Sequence, residues 1–218
     1  RPLDCSGSCI TCLMEGTRPI LVEIQALVTK TSFGNPRRVA TGFDMNRTAM
    51  LLAVLEKRAG FYMGNLDVFV NAAGGMRADE PSADLAVAMA VLSNLLDKVI
   101  PDDMLLLGEI GLAGEIRSTP QVQQRVGEGY RLGFRRFLVP KSSMKTMNAA
   151  DYPEAEFLPV GQLSEAVRLL RGYSKYRERF AHGSEPIFLF PAGRTAPPAG
   201  SGRGQHREPN SCNSPLYR

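Results

Sequence analysis

Asp79-Glu80-Pro81-Ser82-Ala83-Asp84-Leu85-Ala86-Val87-Ala88-Met89-Ala90-Val91-Leu92 is the stretch on which the reading of this chain turns. Asp79 and Glu80 lead in and Pro81 suits a first helical position. The Ala-, Leu- and Val-rich run that follows predicts a helix to about Val99, stopped by Pro101. Ser82 falls in the first turn, where the helix dipole and free backbone N–H groups favour developing negative charge. A serine there suits a nucleophile, but a serine hydroxyl is inert without an adjacent base. The same residue can simply satisfy a free backbone N–H at a helix start. With no base beside it in the sequence, the second role is the one we expect.

Upstream, Ser8-Cys9-Ile10-Thr11-Cys12-Leu13-Met14 reads as a first strand and Glu15–Pro19 as a turn. Ile20, Val22, Ile24, Ala26 and Val28 alternate with polar positions, the period of a half-buried strand. A loop at Ser32–Pro36 follows, and Arg38–Phe43 is expected to pair back as a short strand. Asp44 or Asn46 caps a helix through Met50, Leu51, Val54 and Leu55; Lys57 and Arg58 suit its last turn and Gly60 ends it. Leu66–Asn71 is a buried strand, and Ala72–Gly75 leaves it as a loop.

Downstream, Met104–Leu107 reads as a strand. The repeated Gly-Glu-Ile of Gly108–Ile116 predicts a hairpin turning at its glycines. A helix over about Pro120–Leu132, strands at Phe137–Val139 and Glu156–Leu158, and a helix at Leu163–Leu170 complete the order. Antiparallel pairs mixed with β-α-β steps imply an α+β fold. Residues 1–7 read as a remnant linker, 8–172 as one domain and 173–218 as a disordered basic tail. Within it, residues 194–218 are rich in Pro, Gly and Ser and set Arg194, Arg203, Arg207 and Arg218 against Glu208.

The chain has 218 residues, 44% hydrophobic and 22% charged, with a net charge of +4. That balance is globular and permits nucleic acid without requiring it. No apolar run approaches the roughly 20 residues of a membrane span, and Arg1–Cys5 has no apolar signal core. The first residue is not Met, so the chain reads as a piece of something longer. Cys5, Cys9 and Cys12 cluster while Cys212 stands apart, and His182 and His206 complete no second ligand pair, so no metal site is expected. Cys9 and Cys12 suit buried free thiols, and four irregularly spaced cysteines suit a reducing cytoplasm.

The segment Asp79–Asp84 resembles the Asp-Gly-Pro-Ser-Ala-Gly motif of Lon proteases. Gly108–Ile116 is similar to their Gly-Glu-Ile-Thr-Leu-x-Gly-x-Val segment, and Pro140-Lys141 to the Pro-Lys that follows it. The resemblance implies a Lon-protease-domain-like (ribosomal-protein-S5-domain-2-like) mixed sheet packed with helices. It puts Gln123 at the position of the catalytic lysine, and glutamine cannot take the serine proton. Arg125 is nearby but stays protonated. Asp84, in place of a glycine, would oppose an oxyanion. No catalytic residue is expected to function; Ser82 and Gln123 are degenerate positions. Lys141 and Lys145 are the alternative bases of a Ser-based peptidase.

A wider set of segments resembles the end domain of bacterial RadA (Sms) DNA-repair proteins. It comprises Glu15–Pro19, Glu23–Val28, Gly34–Arg38, Asp44–Arg47, Ala53–Arg58, Val70–Gly75 and Leu132–Arg136. The resemblance covers about residues 8–170. It implies a non-catalytic domain of a hexameric, DNA-dependent ATPase that supports ring assembly and binding of single-stranded DNA in the processing of recombination intermediates, with a recombinase as partner. A purely structural oligomerisation module is the alternative. ATP, Mg and Zn are expected only for other parts of such a protein, since this sequence has no Walker motif and no four-cysteine finger. Arg37, Arg38 and Arg47, with Arg77, are the candidate phosphate contacts; a solvated face or a subunit salt bridge is the other reading of the same cluster.

Overall fold

The computed structural model describes residues 5–180 except Phe33, and side chains up to Arg171 and Gly172. Among the described residues nine strands and four α-helices follow in order: β1 Ser8–Glu15, β2 Arg18–Lys30, β3 Arg38–Thr41, α1 Met45–Ala59, β4 Leu66–Ala72, α2 Asp84–Leu95, β5 Met104–Leu106, β6 Glu109–Ile110, β7 Ile116–Arg117, α3 Val122–Arg131, β8 Arg136–Pro140, β9 Glu156–Val160 and α4 Leu163–Phe180. Seven strands make one mixed sheet in the order β3-β4-β2-β1-β5-β8-β9, and β6 and β7 form a separate hairpin. Only β2 runs against its neighbours: it is antiparallel to β1 and β4, and the other pairs are parallel. The class is α+β.

Period-two side-chain alternation gives the sheet two apolar faces. Cys9 and Leu13 of β1, Val22, Ile24 and Ala26 of β2, and Leu138 of β8 face α1, α2 and α4. Cys12, Leu105, Phe137 and Val139 face the other way, against Val122 and Val126 of α3. Neither thiol is in a disulfide, and both are fully buried, one on each face, as the strand reading expects. Burial pushes the Cys12 thiol up to about 11.

Several expectations need correction. β3 does not pair back on β2; it lies parallel to β4, joined to it by α1, because β4 occupies that edge of β2 through seven paired positions. The helix after Pro81 begins as a 3-10 turn, Pro81–Ala83, and ends at Leu95 rather than Val99. Its last residues turn to tertiary work: Asn94 Oδ1 accepts the Val28 N–H at 2.7 Å, and Ser93 Oγ accepts the Gly7 N–H at 2.8 Å. Asp97 then takes a left-handed φ of 48°. Ser6 and Gly7 are therefore held against the domain rather than being linker: Ser6 Oγ also donates to Asp97 at 2.9 Å. The last helix continues to Phe180, past the expected boundary at 172. Residues 181–218, with Cys212, His182, His206 and most of the expected disordered tail, lie outside the described residues.

Other expectations hold. Asp44 caps α1 by accepting the Arg47 N–H at 2.7 Å, and Gly60 ends it at a φ of 77°. The hairpin pairs Glu109 with Arg117 and Ile110 with Ile116 and turns at Gly114, φ 82°.

Gly129 lets α3 lie close on the sheet: a Cβ there would come within 2.8 Å of Leu105 Cδ2 and 3.2 Å of Phe137 Cε1. Gly129→Val is expected to destabilise by about 1–3 kcal/mol through overpacking, despite its relief of helical glycine. Urea denaturation checks this; unchanged or raised stability would contradict the close packing.

Candidate functional site

Ser82 is buried in the 3-10 turn before α2, and its carbonyl accepts the Gly108 N–H at 3.0 Å. Its hydroxyl meets Arg125, not Gln123. Arg125 Nη1 donates to Ser82 Oγ at 3.1 Å, to Glu80 Oε1 at 2.9 Å and to the Cys12 carbonyl at 2.5 Å. Arg125 Nη2 donates to Glu80 Oε2 at 2.7 Å and Nε to the Pro120 carbonyl at 2.9 Å. The guanidinium is 1% exposed. Glu80 also accepts the Met14 N–H at 2.7 Å and a hydrogen bond from Ser82.

Gln123 is exposed on the outer side of α3, where its carbonyl accepts the Tyr152 hydroxyl at 3.3 Å. The motif-based position for a base thus misses the residue that faces the serine. The reason lies at the helix entry: Gln121 takes a left-handed φ of 55°, and α3 starts at Val122. Val122, Arg125, Val126 and Gly129 then form the buried face at helical spacing. Arg125 stands at i+3 from Val122, and that stripe is the sequence signal that points to it.

This arrangement holds the serine without activating it. A guanidinium donates and cannot accept a proton near neutral pH. Glu80 is the only carboxylate on the hydroxyl among the described residues. Burial pushes its pKa up, but hydrogen bonds from Arg125, Met14 and Ser82 outweigh burial and hold it below the usual carboxylate range, which makes it a poor base. Lys141 and Lys145 are exposed on a 3-10 turn, and Lys141 Cδ lies 3.9 Å from where a Gly161 Cβ would be, beside Glu165. Neither lysine bonds Ser82. The neighbouring cleft, lined by Phe43, Asp44, Arg47, Ala78, Glu80 and Asp84, encloses only about 10 Å³.

Asp84 takes the opposite side of the α2 start. It is buried, accepts Arg47 Nε at 2.9 Å and the Ile110 N–H at 3.0 Å, and also bonds Arg47 Nη2. Burial pushes its pKa up against the pull of Arg47. Asp84 therefore acts as a structural acceptor between α1 and β6.

The four candidate arginines do not form one free cationic patch. Arg37 meets Asp67 through Nε at 3.1 Å and Nη2 at 3.0 Å. The Arg37 N–H and side chain, with Thr31, hold Asp67 below the usual carboxylate range despite burial. Arg47 is held by Asp84, and Arg77 pairs with Asp79 at 2.7 Å. Arg38 differs: it donates to the carbonyls of Met63 at 2.5 Å, Arg37 at 3.2 Å and Leu66, all neutral. Its charge has no carboxylate at ion-pair distance among the described residues.

Fold and site define an α+β domain with a buried Ser–Arg–Glu joint where a serine nucleophile would need a base. A family model described as "Subunit ChlI of Mg-chelatase" matches residues 44–143. The chain is also similar to proteins named "DNA repair protein RadA". It is 44% identical over 173 residues to that of Bacillus subtilis (strain 168), covering 79% of this chain and 37% of the relative. It is 51% identical over 139 residues to that of Escherichia coli (strain K12), covering 64% and 30%. For Synechocystis sp. (strain ATCC 27184 / PCC 6803 / Kazusa) the identity is 41% over 180 residues, covering 83% and 35%. The chain spans about a third of the length of these relatives.

Glu80→Ala is expected to cost about 3 kcal/mol, the low end for breaking a buried ion pair, because Glu80 keeps part of its surface in water. Glu80 also predicts a pH response. Its folded pKa is depressed, so its contribution is present above the ordinary carboxylate range and is lost as pH falls through the folded value. Denaturation midpoints measured on acidification should fall more steeply for the wild type than for Glu80→Gln. Parallel acid profiles would contradict the assignment.

Proposed function

We propose that this chain is a non-catalytic, Lon-like domain of a RadA-type DNA-repair protein, working by ring assembly and DNA binding in the cytoplasm. The observation that carries the non-catalytic part is the seat of the Ser82 hydroxyl between a protonated Arg125 and a low-pKa Glu80, inside a buried joint. Such a serine has only a poor base, Glu80, for its proton, and the cleft beside it encloses only about 10 Å³. The repair role rests on the names of the relatives.

Assembly is supported by an apolar row on the sheet face that α3 leaves uncovered. Leu27 of β2 and Val39 of β3 both pair in register with Phe69 of β4, and Leu27 and Val39 are 56% and 41% exposed. An exposed apolar row beside an edge strand is suited to contact with a second copy. DNA binding is supported by the net charge of +4 and by the uncompensated Arg38.

The expected outcome is ring-sized particles in sedimentation, shifted towards monomers by Leu27→Lys, and salt-sensitive binding of single-stranded DNA. A fluorophosphonate probe should leave Ser82 unlabelled. Labelling of Ser82 overturns the non-catalytic reading, and monomers without DNA affinity at low salt overturn the assembly and DNA reading.

A further inference from the structure

A groove of about 360 Å³ opens between α1 and the segment before β4, lined by Arg38, Ala49, Leu52, Ala53, Glu56, Lys57, Met63 and Gly64. Its size falls in the range of small-ligand clefts. We propose that this groove seats one nucleotide of a DNA single strand, its base stacked on Tyr62 and its phosphate drawn to Lys57 and Arg38. The proposal rests on the DNA-binding reading above and names the place and the chemistry.

The floor is apolar and fixed. Leu52 and Met63 are buried, and the small side chains of Ala49 and Ala53, one helical turn apart, leave room above them. Met63 is clamped from both sides of its backbone: its carbonyl accepts Arg38 Nη2 at 2.5 Å, and its N–H donates to Glu56 Oε2 at 2.9 Å. The Tyr62 ring lies over Gly64, where a Cβ would come within 2.3 Å of the hydroxyl oxygen, and 65% of the residue is exposed. A largely exposed aromatic ring against a glycine that lines the cleft offers a surface on which a base can stack, and base stacking is indifferent to sequence.

The charge around the groove is positive. Arg38 meets only carbonyls, and Lys57 faces no carboxylate at ion-pair distance among the described residues. Lys30 pairs in register with Leu66, whose carbonyl Arg38 bonds, and the period of β2 turns it to the face that bears α1. Against these three cations stands Glu56, already committed to Met63. An apolar cleft with an exposed aromatic and uncompensated cations matches a nucleotide's base and phosphate together, whereas an acidic peptide would leave the aromatic platform unused.

The test is fluorescence anisotropy of the full chain with fluorescein-labelled oligothymidylate at low and raised salt. Circular dichroism melting would verify that each variant folds. With wild-type binding present, Tyr62→Ala should weaken it about 5- to 150-fold while Tyr62→Phe stays close to wild type. Lys57→Ala should weaken it and flatten the slope of log affinity against log salt by about 0.7, and Arg77→Ala, whose charge is held by Asp79, should do less. If the wild type binds and folded Tyr62→Ala and Lys57→Ala variants bind equally well, the groove is not the site although the DNA reading survives. If the wild type does not bind at low salt, the DNA reading fails and the groove fails with it.

Discussion

A guanidinium removed from water must find acceptors in every direction, because an unpaired buried charge costs more than most single contacts return. Arg125 finds them on three separate parts of the chain: the Cys12 carbonyl in β1, Glu80 and Ser82 before α2, and the Pro120 carbonyl before α3. None of these partners is useful unless the other elements are already in position. The geometry around one side chain therefore dictates how the two faces of the sheet are joined. The packing of α3 through Gly129 and the seating of α2 against β1 both follow from it.

The second ion pair at the α2 start works in the same sense on the opposite side. Arg47 and Asp84 connect α1, α2 and the hairpin, and the Ile110 N–H completes the set. A helix N-terminus still offers its dipole to negative charge, and that charge is supplied from within the chain by Asp84.

Much of the fold was legible because local patterns and tertiary packing agree. The alternation of β2, the Asp44 cap, Gly60 and the glycine-turned hairpin needed no information from elsewhere in the chain. The misses are places where distant partners decide. α2 ends early because Asp97 turns left-handed and the Lys98 N–H closes back on the Ser93 carbonyl, beside the Ser93 and Asn94 side chains that hold Gly7 and Val28. β3 finds β4 because the other edge of β2 is occupied by β1. At the site, Ser82 and the lack of a base were legible from the motif. The motif points to Gln123 because its spacing counts residues along the chain, whereas the helical stripe of Val122, Val126 and Gly129 is what puts Arg125 on the inward side of α3. The arginines were recognised as cations, but carboxylates such as Asp67, Asp84 and Asp79 cancel three of them, and only folding reveals that pairing.

β1 carries Cys9 and Leu13 on one face and Cys12 on the other, and it is hydrogen-bonded on both edges. Each apolar layer thus includes part of the same central strand. Neither layer can come apart while the other persists, since releasing either exposes one side of β1. Loss of structure should then be a single cooperative event, with the β1 amides exchanging their hydrogens only when the whole domain opens.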